Sequence, residues 1–172
     1  TDEWTALMYA AVMNKLEVVA FLIENGADIG AKNKEGETAL TAAASYGNLE
    51  VVTLLIENGA DIGVQDKEGK TALMYSTRFA WHSIRNLQVL TLLIENGADI
   101  GAQDAEGKTA LFYAADAGNL EAVPLLKGLE AGETTLMSYG HKLRITYDND
   151  PKTIIHNYST DLWYDLRLPV GY

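Results

Sequence analysis

Apolar side chains recur along the chain in short bursts at helical spacing, separated by polar turns. Leu49, Val52, Leu55 and Ile56 follow the i, i+3, i+6, i+7 rule for one buried helix face, and Asn58-Gly59 supplies a left-handed stop. Upstream, Thr38 precedes the small residues Ala39 to Ser45, which predict a first helix of about two turns before Gly47-Asn48 breaks it. The segments Ala60-Asp61-Ile62-Gly63 and Asp66-Lys67-Glu68-Gly69 suit an extended loop with a tight turn. A helix pair this short cannot bury its apolar face alone, so it must stack on neighbours of its own kind.

The neighbours are present in the sequence. The string GxTAL recurs at Gly36–Leu40, Gly69–Leu73 and Gly107–Leu111, with a bare TAL at Thr5–Leu7. LLIENGADIG occurs at Leu54–Gly63 and Leu92–Gly101, and FLIENGADIG at Phe21–Gly30. Thr5, Thr38, Thr71 and Thr109 are 33, 33 and 38 residues apart, so the third unit carries a five-residue insertion. Units are therefore expected over 1–33, 34–66, 67–104 and, in degenerate form, 105–132.

These motifs resemble the ankyrin repeat over residues 2 to about 128. The resemblance implies a mainly α solenoid of helix-turn-helix units that binds other proteins without catalysing a reaction. Departures from the family pattern are specific. Its Pro is replaced by Ala6, Ala39, Ala72 and Ala110, and its His by Met8, Thr41, Met74 and Phe112, so the family's Thr to His hydrogen-bond network is expected to be missing. Gly30, Gly63 and Gly101 stand where the family has an Asn that is sometimes hydroxylated, which removes that modification.

The regularity fails in two places. In unit three, Ala80 to Arg85 replace the Gly47 of unit two, which predicts a longer turn between the helices; Trp81 in it is a candidate partner contact, because aromatic anchors are enriched at interfaces. In unit four, Pro124 intrudes and no GAD follows, so the solenoid is ending there. Gly132 to Leu136 echo GxTAL and are read either as a degenerate fifth unit or as coincidence. Beyond Tyr139 the period alternates: Leu143, Ile145 and Tyr147, a turn at Asp148–Pro151, then Leu162, Tyr164, Leu166 and Leu168. A short β-rich extension over 133–172, too small to be stable alone, is expected to pack on the last repeat.

Composition narrows the function. The 172 residues carry a formal charge of −11, of which 19 Asp and Glu against 9 Lys and Arg fall in residues 1–132. An acidic surface repels phosphate backbones, so neither nucleic acid nor a membrane is the expected partner; a protein with a basic surface is. No apolar run approaches the roughly 20 residues of a bilayer span. With no Cys there is neither a disulfide framework nor a thiolate site, which suits a cytoplasmic protein and is compatible with export. Thr1 opens the chain within the pattern, as it would after loss of a signal peptide or an earlier repeat. The chain is expected to be monomeric on its own. An acidic inhibitor or immunity-type protein that masks a basic site, or the targeting part of a larger effector enzyme, is the alternative class.

Catalytic, metal and cofactor sites are not predicted. Gly63 to Thr71 looks like a phosphate loop but has five residues between its glycines, two of them acidic. His82, His141 and His156 lack metal-ligand spacing, and Asp148 with Asp150 is turn chemistry. Asn157-Tyr158-Ser159 matches a glycosylation acceptor, relevant only to a secreted eukaryotic protein.

The candidate binding residues follow from the resemblance. In the family, one first-helix position faces the concave groove; here it is Tyr9, Ala42, Tyr75 and Tyr113, with Met13, Tyr46, Phe79 and Ala117 one turn on. Trp4, Lys70 and Lys108, each just before the Thr, are expected to edge the same surface. The competing reading packs these rings between neighbouring helices, although Ala39, Ala43 and Ala44 indicate that those contacts favour small side chains. On the groove reading, Tyr75 and Tyr113 are exposed anchors whose truncation weakens binding and spares stability.

Overall fold

The computed structural model describes residues 3–77, 83–119 and 122–130, together with the backbone of three strands between 135 and 158. Among the described residues, eight helices form four pairs: α1 (Ala6–Val12) with α2 (Leu16–Glu24), α3 (Ala39–Ser45) with α4 (Leu49–Glu57), α5 (Ala72–Thr77) with α6 (Ser83–Glu95), and α7 (Ala110–Asp116) with α8 (Ala122–Glu130). The first helices touch in the order α1, α3, α5, α7, and the second helices in the order α2, α4, α6. The core runs through the stack between these two rows, with Leu7, Leu40 and Leu73 from the first helices and Val52, Leu55 and Leu93 from the second wholly enclosed.

The first helices of units one and two start on threonine caps. Thr5 Oγ1 accepts from the Met8 N–H at 3.2 Å, satisfying a donor with no intrahelical acceptor. Thr38 and Thr41 go further and form a reciprocal capping box: the Thr38 N–H donates to Thr41 Oγ1 at 2.8 Å, and the Thr41 N–H to Thr38 Oγ1 at 3.4 Å. In unit two, Thr41 thus performs locally part of what the family's His would have done. The second helices end on Gly26, Gly59 and Gly97, all at positive φ. At Gly59 the next residue, Ala60, donates back to Leu55 O at 2.9 Å, closing a Schellman turn.

The units are stitched as well as packed. Asn48 donates through Nδ2 to Ala11 O at 2.7 Å and to Val12 O at 3.0 Å, reaching two of the last carbonyls of α1, which have no i+4 partner within the helix. At the loop tips, Lys67 N–H donates to Glu35 O at 2.9 Å and Ala105 N–H to Glu68 O at 2.8 Å, linking each tip to the next.

One expectation is corrected here. The insertion in unit three does not only lengthen a turn: α6 begins at Ser83, four residues before Leu87, the counterpart of the Leu49 that opens α4, so part of it adds a helical turn. Phe79 and Trp81 lie outside the described residues. Pro124 sits near the start of α8, where a missing N–H costs least, and the helix continues to Glu130; no helix pair follows it among the described residues. Of the two readings of the GxTAL echo, coincidence is the one that fits, since no helix pair opens there among the described residues. Thr135–Ser138 is a strand, β1, paired antiparallel with β2 (His141–Ile145), which pairs antiparallel with β3 (Ile155–Tyr158). Strand β1 lies near α6 and α8. The segment 162–168, expected as a strand, lies outside the described residues.

Candidate partner-binding surface

Each loop tip is built on one side chain. Asn33, Asp66 and Asp104, each counted from here on with the unit whose first helix follows it, occupy the same place in units two, three and four, and each accepts two backbone N–H groups through Oδ1: from Glu35 and Glu37, from Glu68 and Lys70, and from Glu106 and Lys108, all at 2.8 to 2.9 Å. These bonds fold the tight turn and leave the second oxygen, or the amide nitrogen, for a different task. In unit three, Asp66 Oδ2 accepts the Tyr75 phenol at 2.6 Å. In unit four, Asp104 Oδ2 accepts the Tyr113 phenol. Where unit two has Asn33, the tyrosine position holds Ala42, and the Asn33 Nδ2 donates instead to Glu37 Oε2 at 2.7 Å.

The aromatic row predicted from sequence therefore divides. Tyr9, Met13 and Tyr46 are 57%, 65% and 56% exposed. Tyr75 departs from expectation: it is 8% exposed, held by Asp66 with Glu37 Oε1 3.3 Å from the same hydroxyl, and so is a structural residue of the stack. Burial, reinforced by the Asp66 carboxylate, pushes its phenol well above the usual range. Tyr113 is half-buried; burial and then Asp104 raise its phenol too, while the Tyr113 hydrogen bond is the main cause that lowers the Asp104 carboxyl. Ala117, one turn on from Tyr113, is half-buried and contributes no ring.

Trp4, half-buried, packs on Tyr9 with ring centroids 5.3 Å apart. Lys70 pairs with Glu68 and places its Nζ 5.5 Å from the Tyr113 ring centroid. Lys108 pairs with Glu106 at 2.6 Å and lies 4.9 Å from the Phe112 ring centroid. A hydrogen bond to Glu106 raises the Lys108 ammonium above its ordinary value.

Two surface features were not read from sequence. Phe112 is exposed, whereas its counterparts Met8, Thr41 and Met74 are buried, because no described helix pair follows unit four to cover it. Glu37 stands where Lys70 and Lys108 stand in the later units; aligning the residue before each Thr would have found it. Among the described residues, no group of three or more His, Asp or Glu side chains is placed to hold a metal ion. No described helix is long and apolar enough to cross a membrane.

Paired helices stacked in two rows, tied at their loop tips and offering exposed rings along the first-helix row, define a helical-repeat solenoid. The family model for ankyrin repeats (3 copies) matches residues 7–104, 58–136 and 79–157, and the chain belongs to the ankyrin-repeat family. That family consists in general of protein-interaction modules. No curated protein matches the chain at a significant level.

Proposed function

We propose that the chain is a non-catalytic binding module that seats a basic protein surface on the first-helix row, at its concave side. The observation that carries this reading is the exposure of Tyr9, Met13 and Tyr46 together on α1 and at the end of α3, where a folded chain gains nothing by displaying them. Exposed aromatic and Met side chains in one area are the residues that interfaces draw on. The charge of −11 favours a basic partner and would steer its approach.

The test has two parts. The chain, immobilised, captures its partner from extract of the source cell, and the purified pair is measured by surface plasmon resonance. Tyr9→Ala and Tyr46→Ala should each cost about 2 kcal/mol of binding, as interface anchors do, with melting changed by no more than about 0.5 kcal/mol, as at other surface positions. Raising salt should slow association chiefly. Full affinity in the double variant would overturn the reading.

A further inference from the structure

The string IENGAD occurs at 23–28, 56–61 and 94–99, at the end of each of the first three second helices. Each copy holds an Asn-Gly pair, in which the backbone nitrogen can attack the preceding side-chain amide because glycine has no Cβ to obstruct the approach. Asn25, Asn58 and Asn96 are all exposed to water. Their immediate neighbours are identical, so the three share one intrinsic reactivity, and any difference between them comes from the fold.

The fold restrains both reacting groups. Asn25, Asn58 and Asn96 donate through Nδ2 to the carbonyls of Phe21, Leu54 and Leu92 at 2.7 to 2.8 Å. The attacking nitrogens are engaged as well: the N–H groups of Gly26, Gly59 and Gly97 donate to the carbonyls of Ile23, Ile56 and Ile94 at 2.9 to 3.0 Å. Closing a five-membered ring also needs Cβ and the glycine nitrogen nearly eclipsed about the Cα–C bond, and a ψ of 17° at Asn25 and 16° at Asn58 keeps them well apart. Reaction must therefore wait for the last helical turn to open.

Opening is not equally costly in the three units. Helix α4 wholly buries Val51, Val52 and Leu55, and α6 wholly buries Val89, Leu90 and Leu93, whereas α2 wholly buries Val19. At the places matching Val51 and Leu55, unit one has Val18 exposed and Leu22 half-buried. A helix whose apolar face is less enclosed by its neighbours frays more readily.

We propose that Asn25, Asn58 and Asn96 are deamidation sites held in check by the helix-end geometry, and that Asn25 reacts ahead of the other two as the end of α2 frays. The Gly26 nitrogen gives up its proton and bonds to Asn25 Cγ; the Cγ–Nδ2 bond breaks, ammonia leaves and a succinimide joins the two residues. One water then opens either C–N bond of the ring, leaving an aspartate or an isoaspartate in place of Asn25. Either product loses the Nδ2 donor to Phe21 O and sets a carboxylate at a helix C-terminus, where the helix dipole opposes it.

The test ages the full chain in mildly alkaline buffer, with and without concentrated urea. Mass spectrometry follows conversion in the tryptic peptides 16–32, 35–67 and 86–108, which carry one Asn-Gly pair each. In urea the three sites should convert at closely similar rates. In native buffer all three should be slower, with Asn25 about tenfold or more ahead of Asn58 and Asn96, the ratio of their local opening constants. Asn25→Asp, which supplies one product directly, should melt below the wild type. Native rates as fast as those in urea would overturn the protection, a native rate at Asn25 no greater than at the other two would overturn the order, and an unchanged melting curve for Asn25→Asp would overturn the consequence for α2.

Discussion

The phenol of Tyr75 donates to Asp66 Oδ2 at 2.6 Å, and the other oxygen of that carboxylate accepts the N–H groups of Glu68 and Lys70. One side chain therefore both folds a loop tip and fixes a ring of the following helix. Truncating the ring removes buried area and strands a carboxylate that has lost its best donor. Tyr75→Ala is expected to cost about 3 kcal/mol of stability, in the range of large-to-small core changes, and Tyr75→Phe about 1 kcal/mol, the worth of one hydrogen bond. Urea unfolding of the two variants measures both; equal losses would show that the hydroxyl contributes nothing.

The same bonds give the stack a pH dependence with a definite sign. Tyr75 and Tyr113 have folded-state values raised above the ordinary phenol, so their contribution is complete below about pH 10 and is lost as pH rises through the raised values. Asp104 is lowered, so its contribution is complete above about pH 4 and is lost as pH falls through its folded value. Unfolding free energy measured across the alkaline range should fall less steeply in Tyr75→Phe than in the wild type. Identical alkaline slopes would refute the link.

Gly69 and Gly107 occupy one position in successive units, both at positive φ, but only Gly69 has a loop tip stacked on it. A Cβ on Gly69 would meet Ala105 N at 2.8 Å and Asp104 Cα at 2.9 Å, whereas one on Gly107 would find only Gln103 Oε1 at 4.0 Å. Both alanine variants incur the left-handed penalty of about 1 to 2 kcal/mol. Gly69→Ala should lose clearly more, and chemical denaturation of the pair measures the excess due to tip stacking.

Strand β1 near α6 and α8 places the start of the extension against the last two units. Deleting residues 133–172 should lower the melting temperature or provoke aggregation, because Leu125 and Val123, partly buried against the core, lie in the last helix. An unchanged melting curve with a soluble product would mark the extension as a detachable segment.

Much of this protein was determined by local sequence alone. The repeat, its helix pairs and its stops are legible because each depends on contiguous residues: a Thr cap at the start, an apolar stripe at helical spacing, an Asn-Gly end that needs a left-handed glycine. The insertion was legible as a length, but not as an added turn of α6, since helix or loop there depends on what the segment packs against. The echo at Gly132–Leu136 stayed open between a fifth unit and coincidence for a similar reason, because four residues carry too little pattern to separate a strand from a degenerate helix start.

The division of the aromatic row was decided by tertiary structure. Tyr9 and Tyr75 hold the same repeat position and the same residue type, yet one is open and the other enclosed. The difference arises from partners distant along the chain: Asp66 nine residues before Tyr75, and Glu37 thirty-eight before it on the preceding unit. Periodicity places a ring on a helix face, but burial is set by the surface that the neighbouring unit brings to it, and that surface exists only once the units have stacked.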